Sequence, residues 1–338
     1  MGGLREALGT VHATPAAAAV ALAAAAAGGY CCWRGFLQRA ASGTVLIFGV
    51  GYTGERVALK LREAGYRVVG TARSAASAGR LTAQLGIEVV VFDGTPDSTA
   101  GAAAAAALAA ATHVLATAQP GEPGDPMLCN PVLKAALEAR LATGQLCWLG
   151  YMSTVGVYGD TGGAPVTEDS PVNPRSARGK RRVVAEEQWR GLGGPLHIFR
   201  LPGIYGPGRG PLEKVRGGTA RCLVKPNHKF SRIHVDDIAQ VILASLRKPS
   251  DLSTSSSTAA VFNVTDDEPA ASHEVTEHAA RLLGVAPPPR QDFATADLSA
   301  AVRSFYAESR LLTNEKLKTE LGVELRYPTY REGQAAQL

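Results

Sequence analysis

The 338-residue chain lacks the features that would place it in several common classes. Its five cysteines have no CxxC spacing and no histidine cluster beside them, which argues against a zinc site and a disulfide framework and favours a reducing setting. There is no dense Lys/Arg block, so the formal net charge of +5 carries no nucleic-acid footprint. Acid is scarce at the start: residues 1–42 hold Arg5, Arg34 and Arg39 against Glu6 alone, which leaves about +3 for the remainder. Charge is missing altogether from Pro15 to Trp33, a mostly alanine stretch with arginines on either side.

Those first 42 residues do not read as part of a fold. An Arg-containing, acid-poor leader resembles an organelle transit peptide, and its alanine richness favours a plastid over a mitochondrion. A secretory signal and a membrane anchor of about 19 residues are the competing readings; alanine is only weakly apolar, which counts against the anchor. Membrane contact is expected only if the leader is retained. Beyond it, 46% hydrophobic and 19% charged residues are an ordinary globular composition, enough for one large α/β domain or two modest ones.

The stretch from Thr44 to Ser74 organises the rest. Val45 to Phe48 is an apolar run too short for a helix, followed at once by Gly49, Gly51 and Gly54 and by helix-forming sequence from Glu55 with an apolar stripe at Val57, Leu61 and Ala64. Gly65 is the natural stop, and Tyr66 to Thr71 is a second β-rich run. Gly49 permits the tight turn, Gly51 lets the backbone approach a pyrophosphate, and Gly54 lets the helix pack near the strand. This is a dinucleotide-binding βαβ unit. The second strand ends without the acid that usually accepts from an NAD ribose. It ends in Thr71, Ala72 and Arg73, and a guanidinium beside a hydroxyl suits the 2′-phosphate of NADP; NAD is the less favoured cofactor.

Strand and helix then alternate, the signature of a parallel sheet wound on both faces. A helix around Ser77 to Leu85 leads to a strand from Ile87 to Phe92, ending at Asp93, which either approaches the adenine or caps the next helix. The alanine tract from 100 to 111 is a strong helix former and precedes a fourth strand, Thr112 to Thr117. A Pro/Gly-rich turn from Gln119 to Pro126 lies where the far side of the cofactor would be covered. A helix from Pro131 to Ala142 precedes a fifth strand, Leu146 to Met152, in which Cys147 is expected to be buried as a small apolar residue. The serine-rich Ser250 to Thr258 reads as a surface loop. The cofactor contacts expected are thus Gly49, Gly51, Tyr52, Thr53, Gly54, Thr71, Arg73, Asp93 and Thr117.

Four later segments carry a resemblance: STVGVYG from Ser153, RLPGIYGPG from Arg200, SRIHVDD from Ser231 and FNVTDDEP from Phe262. Together with the glycine turn they resemble the extended short-chain dehydrogenase/reductase superfamily of epimerases, dehydratases and reductases over residues 44–330. The resemblance implies an α/β fold: a doubly wound parallel-sheet Rossmann domain with a smaller C-terminal α/β substrate lobe. The expected division is a leader (1–42), a nucleotide domain (43–200), and a lobe interleaved with the last Rossmann elements (201–338).

That family centres its reaction on a Ser/Thr after the fifth strand and a Tyr-x-x-x-Lys on the next helix, where the Tyr moves the proton. Thr154 matches the Ser/Thr. With Gly179 and Glu186 in register, Arg178 falls on the Tyr and Arg182 on the Lys; the register pairing Ser176 with Lys180 ranks second. Arg stays protonated, so it can donate hydrogen bonds and offset charge but cannot cycle a proton. Tyr158 and Tyr205 lie in segments where the family's aromatics mostly pack. The Asp-Glu pair of 4,6-dehydratases is replaced by Val155 and Gly156, and the diphosphate-gripping Arg of nucleotide-sugar epimerases by Phe230. Arg232 and Tyr205 are the candidates for substrate contact, with a surface ion pair and packing as the respective competing readings. Asp236 and Asp237 are expected to cap a helix beginning at Ile238, and His234 to be satisfied and half-buried. The segment from Asn314 resembles the family's closing helix and strand-like tail.

These readings imply an NADP(H)-binding reductase or epimerase relative acting on a small polar carbonyl or hydroxyl substrate, with no metal and no nucleic-acid partner and with a homodimer left open. The alternative is a non-catalytic NADP-binding scaffold or assembly factor in an organelle.

Overall fold

The computed structural model describes residues 43–95, 98–248 and 259–338. The leader, with Cys31 and Cys32, and the serine-rich stretch 250–258 lie outside the described residues. A seven-stranded sheet is built from β1 (Thr44–Phe48), β2 (Arg67–Ala72), β3 (Glu88–Val91), β4 (His113–Ala116), β5 (Trp148–Thr154), β6 (Leu196–Leu201) and β7 (Ala260–Asn263). Every pairing in it is parallel, and the order is 3-2-1-4-5-6-7. The reversal of direction at β1 and β4 opens a crevice beyond the strands' carboxyl ends.

Apolar runs, not alternating ones, make these strands because both faces are covered. Along β1, Val45 and Ile47 enter one core while Leu46 and Phe48 enter the other. Helices α1 (Tyr52–Glu63), α2 (Ala75–Leu85) and, after the gap that the small lobe fills, Val235–Arg247 pack on the first face through Val57, Leu61, Leu81, Ile238 and Val241. Helices α3 (Ser98–Ala110), α4 (Pro131–Ala142) and α5 (Ala177–Gly191) cover the second through Leu108, Leu133, Leu137 and Trp189.

The lobe is made of short parallel strand pairs, Gly203–Tyr205 with Arg232–His234, Cys222–Val224 with Arg290–Asp292, and Pro165–Val166 with Leu311–Leu312. Helices Ser272–Leu282 and Tyr330–Ala335 pack with them. Both Val235–Arg247 and β7 return from this lobe to the sheet.

Three expectations are corrected here. Strand β5 begins at Trp148, and Cys147 is exposed, because the period-2 alternation that buries Leu146 and Trp148 turns the residue between them outward. Helix Val235–Arg247 is capped by His234, whose Nδ1 accepts from the Asp236 N–H at 3.2 Å; Asp236 instead bonds Arg56 at 2.7 Å, and buried Asp237 accepts from the N–H groups of Arg326 and Tyr327. The tail after Gly322 is not strand-like: it ends in helix Tyr330–Ala335, capped by Thr329 with Glu332 in a capping box.

Candidate active site

The glycine turn is braced by two threonines. Gly49 sits at φ +86°, its N–H donates to the Thr71 hydroxyl at 2.9 Å, and the Thr117 hydroxyl lies on the carbonyls of Phe48, at 3.0 Å, and Gly49. A Cβ on Gly54 would stand 3.4 Å from the Gly49 carbonyl oxygen, an ordinary van der Waals contact, so helix and strand are close here but leave room for a methyl group. A Cβ on Gly51 would meet nothing within 4 Å, and no side chain caps the start of α1. The bare N–H groups of that first turn and the open space before Gly51 fit a dinucleotide's pyrophosphate. Thr71, expected among the cofactor contacts, is buried and spends its hydroxyl on the turn.

Gly49, Gly51, Tyr52, Thr53, Gly54 and Thr117 line a cavity of about 470 Å³, together with Thr154, Arg178 and Arg182. Arg73 is exposed after β2, beside Ser74, which caps α2 by accepting from the Ser77 N–H. Asp93 is exposed after β3; hydrogen bonds from the Thr95 N–H, at 2.9 Å, and then its hydroxyl hold its carboxyl below the usual range.

Helix α5 settles which arginines face the cavity. Its N-cap is Ser176, whose hydroxyl accepts from the Gly179 N–H at 3.1 Å, and Lys180 is exposed and lines no cavity described here. Arg178 and Arg182, one turn apart, share the cavity face. Gly179 is dictated by packing, since a Cβ there would lie 2.8 Å from the Gly156 carbonyl oxygen. Arg182 is tethered, donating to the Met152 carbonyl at 2.6 Å and to the Tyr151 hydroxyl at 3.1 Å. The Thr154 hydroxyl accepts from the Gly156 N–H at 3.2 Å and lines the cavity.

Behind Thr154 runs a buried network that the sequence did not announce. The Ser153 hydroxyl donates to Glu186 at 2.5 Å, and Glu186 takes two parallel bonds from Arg200, at 2.8 and 3.2 Å. The Arg200 guanidinium lies 4.7 Å from the centre of the Tyr158 ring, and the Tyr158 hydroxyl donates to Asn263 at 2.7 Å. Tyr158 is thereby engaged, and burial raises its pKa.

A second cavity of about 530 Å³ adjoins the first and shares Thr154, Arg178, Pro202, Ile204 and Arg209 with it. Phe230 lines its far part. The two proposed substrate contacts do not reach it. Arg232 is buried in the lobe, donating to the Ala270 carbonyl at 3.0 Å and lying 5.3 Å from the Tyr330 ring centre, so it makes neither a cleft contact nor a surface ion pair. Tyr205 is also buried, donates to the Thr329 carbonyl at 3.2 Å, and has its pKa pushed far up by burial. His234, expected to be satisfied and half-buried, is fully buried with its Nε2 unpartnered, and it lines neither cavity; burial, the dominant influence, pushes its pKa down to about 4, so it is neutral at pH 7. Among the described residues, no group of three or more His, Cys, Asp or Glu could hold a metal, and no helix is long and apolar enough to cross a membrane.

Known proteins resemble the chain over half to nearly nine-tenths of its length. Protein YeeZ of Escherichia coli K12 is 26% identical over 292 residues, 84% of this chain and 96% of its own length. A Streptomyces 3-diazoavenalumate denitrifying reductase is 29% identical over 188 residues, half of this chain and 56% of that protein. A solved structure of a functionally unknown conserved protein from Silicibacter pomeroyi is 43% identical, with a TM-score of 0.76 over 87% of this chain and 98% of that one. The UDP-glucose 4-epimerase of Stenotrophomonas maltophila, solved with NAD and formylated UDP-arabinopyranose, shares the fold at 17% identity and a TM-score of 0.66 over 87% of this chain and 97% of its own. The model of the NAD dependent epimerase/dehydratase family matches residues 45–264, from the first strand of the sheet to just past the last, and the chain belongs to that family.

Proposed function

We propose that the protein is an NADP(H)-dependent reductase or epimerase relative that works on a small polar carbonyl or hydroxyl substrate without a catalytic tyrosine. The observation that carries this reading is that Thr154 and Arg178 line both cavities, so a molecule in the second meets a nicotinamide in the first at these two side chains. When bound, a reduced nicotinamide supplies a hydride. As a carbonyl carbon accepts it, the C=O π pair moves onto oxygen. The Arg178 guanidinium offsets the charge that develops there, and the Thr154 hydroxyl donates to the same atom. An arginine side chain does not cycle a proton near neutral pH, so the alkoxide takes its proton from water. Arg182, held against β5, orients the cofactor ribose. Arg73, with the Ser74–Ser77 start of α2 beside it, favours the 2′-phosphate of NADP over a bare ribose.

The test is NADPH oxidation by purified protein against a panel of carbonyl compounds. Turnover should vanish in Thr154→Ala, fall on the order of 100-fold in Arg178→Ala, and persist in Lys180→Ala. Activity that survives Thr154→Ala, or that is lost in Lys180→Ala, discards the assigned roles.

The same arginine at position 178 favours a second reading, a non-catalytic NADP-binding scaffold or assembly factor in an organelle. It requires stoichiometric co-purification with a large complex and no turnover. In either reading, residues 1–42 direct the chain to an organelle, a chloroplast before a mitochondrion; import of a reporter fused to them into isolated chloroplasts tests this.

A further inference from the structure

We infer that the second cavity takes an organic anion, a molecule with a carboxylate or phosphate within a few bonds of the reacting carbon and a flat apolar group at its other end. The inference rests on the reductase reading of the same site and names its substrate class.

The two cavities are lined by five cations, Arg178, Arg182, Arg209, Lys229 and Arg310, and by one carboxylate, Glu308. Arg182 is tethered to β5, and Arg310 is bound by Glu308 at 2.6 Å. The other three, Arg178, Arg209 and Lys229, have no carboxylate partner among the described residues. All three are exposed, and a cleft lined by cations concentrates an anion in a way that a neutral substrate does not gain.

Arg209 is the best prepared of the three. It closes a tight turn in which the Gly206 and Arg209 backbones exchange N–H···O bonds of 2.9 Å, with Gly208 at φ +75° between them. Its guanidinium lies 5.2 Å from the Tyr52 ring centre. A cation already placed on a turn and a ring loses less freedom when it binds than a loose one. Because Arg209 lines both cavities, as Thr154 does, the anionic group it meets lies close to the reacting carbon.

The far wall has a different character. Phe230 and Phe305 stack with ring centres 4.8 Å apart and planes 16° from parallel, and Phe305 is 58% exposed. A large aromatic face left bare on a cavity wall offers a surface to a flat apolar group.

The experiment measures binding to the NADP-saturated full-length protein by calorimetry, with benzoylformate, its neutral methyl ester, and phenyl phosphate as probes. One of the two anions should bind about tenfold or more tightly than the ester. Which of them does so tells carboxylate from phosphate. Arg209→Gln should abolish the preference while leaving the ester unchanged. Phe305→Ala, at an exposed position, should weaken anion and ester alike without lowering the melting temperature by more than a few degrees. Equal affinity for anion and ester, no binding of either anion, or a preference that survives Arg209→Gln overturns the inference. Tight anion binding with no NADPH oxidation by any carbonyl overturns the reductase reading and leaves the anion site standing. Oxidation driven by neutral ketones with no anion preference does the reverse.

Discussion

Two glycines of one motif should respond to the same substitution with opposite signs. Gly49 occupies φ +86°, and a Cβ there would stand 3.1 Å from the backbone of Ala118. Gly49→Ala therefore costs about 1–2 kcal/mol for the left-handed backbone, before any shift of Ala118 is counted. The melting temperature of the free protein should fall by several degrees. Gly51 has φ −116° and ψ −162°, extended backbone open to any residue, and a Cβ there meets nothing within 4 Å. Gly51→Ala should leave the free protein as stable as before, or more stable by about 0.4–1 kcal/mol through the loss of unfolded-chain freedom. Its methyl group, however, projects where the pyrophosphate approaches the start of α1. Lost hydrogen bonds to a charged group are worth about 1.5–3 kcal/mol, which lowers NADPH affinity roughly 10- to 100-fold. Differential scanning fluorimetry with and without NADPH reads both effects at once. A Gly51→Ala protein that NADPH stabilises as fully as it does the unaltered chain would refute the placement of the phosphates.

Two further perturbations probe what holds the site together. Glu186→Ala leaves Arg200 charged and buried without its carboxylate and should cost on the order of 3–5 kcal/mol in urea unfolding; a loss below about 1 kcal/mol, the range of an exposed pair, would contradict the burial argument. His197 is pushed down to about 4, by burial first and then by Lys248 and Lys316, so between that value and its ordinary 6.5 the unfolded chain binds a proton that the folded chain does not. Its contribution is therefore retained above pH 6.5 and lost as pH falls toward 4. The stability difference between the unaltered protein and His197→Asn should shrink over that window, and profiles that stay parallel would count against it.

The sheet and its glycine turn were legible because their signals are local: four- to seven-residue apolar runs, and glycines whose spacing answers to one turn and one helix start. The glycine of α5 has a similarly local reason, since Gly179 has no room for a side chain beside the Gly156 carbonyl. The direction of a polar side chain was not legible. Arg232 turns inward because Ala270 and Tyr330, far along the chain, supply a carbonyl and a ring to receive it. Thr71 turns toward the Gly49 N–H, which no local pattern announces. Arg209 follows directly on the Gly-Pro-Gly of the IYGPG segment, and a cation fixed on a tight turn is a signal that could have been read. The Glu186–Arg200 pair had no such signal, because it joins a helix to a strand only once both are packed on the sheet.

The central claim, that the glycine turn and Arg73 together hold a phosphorylated pyridine dinucleotide, is tested most directly by calorimetric titration with NADPH and NADH, repeated on Arg73→Ala. One site per chain is expected, with NADPH bound about tenfold or more tightly than NADH and that difference lost in the variant. Equal affinity for the two cofactors in the unaltered protein, or no binding of either, would contradict it.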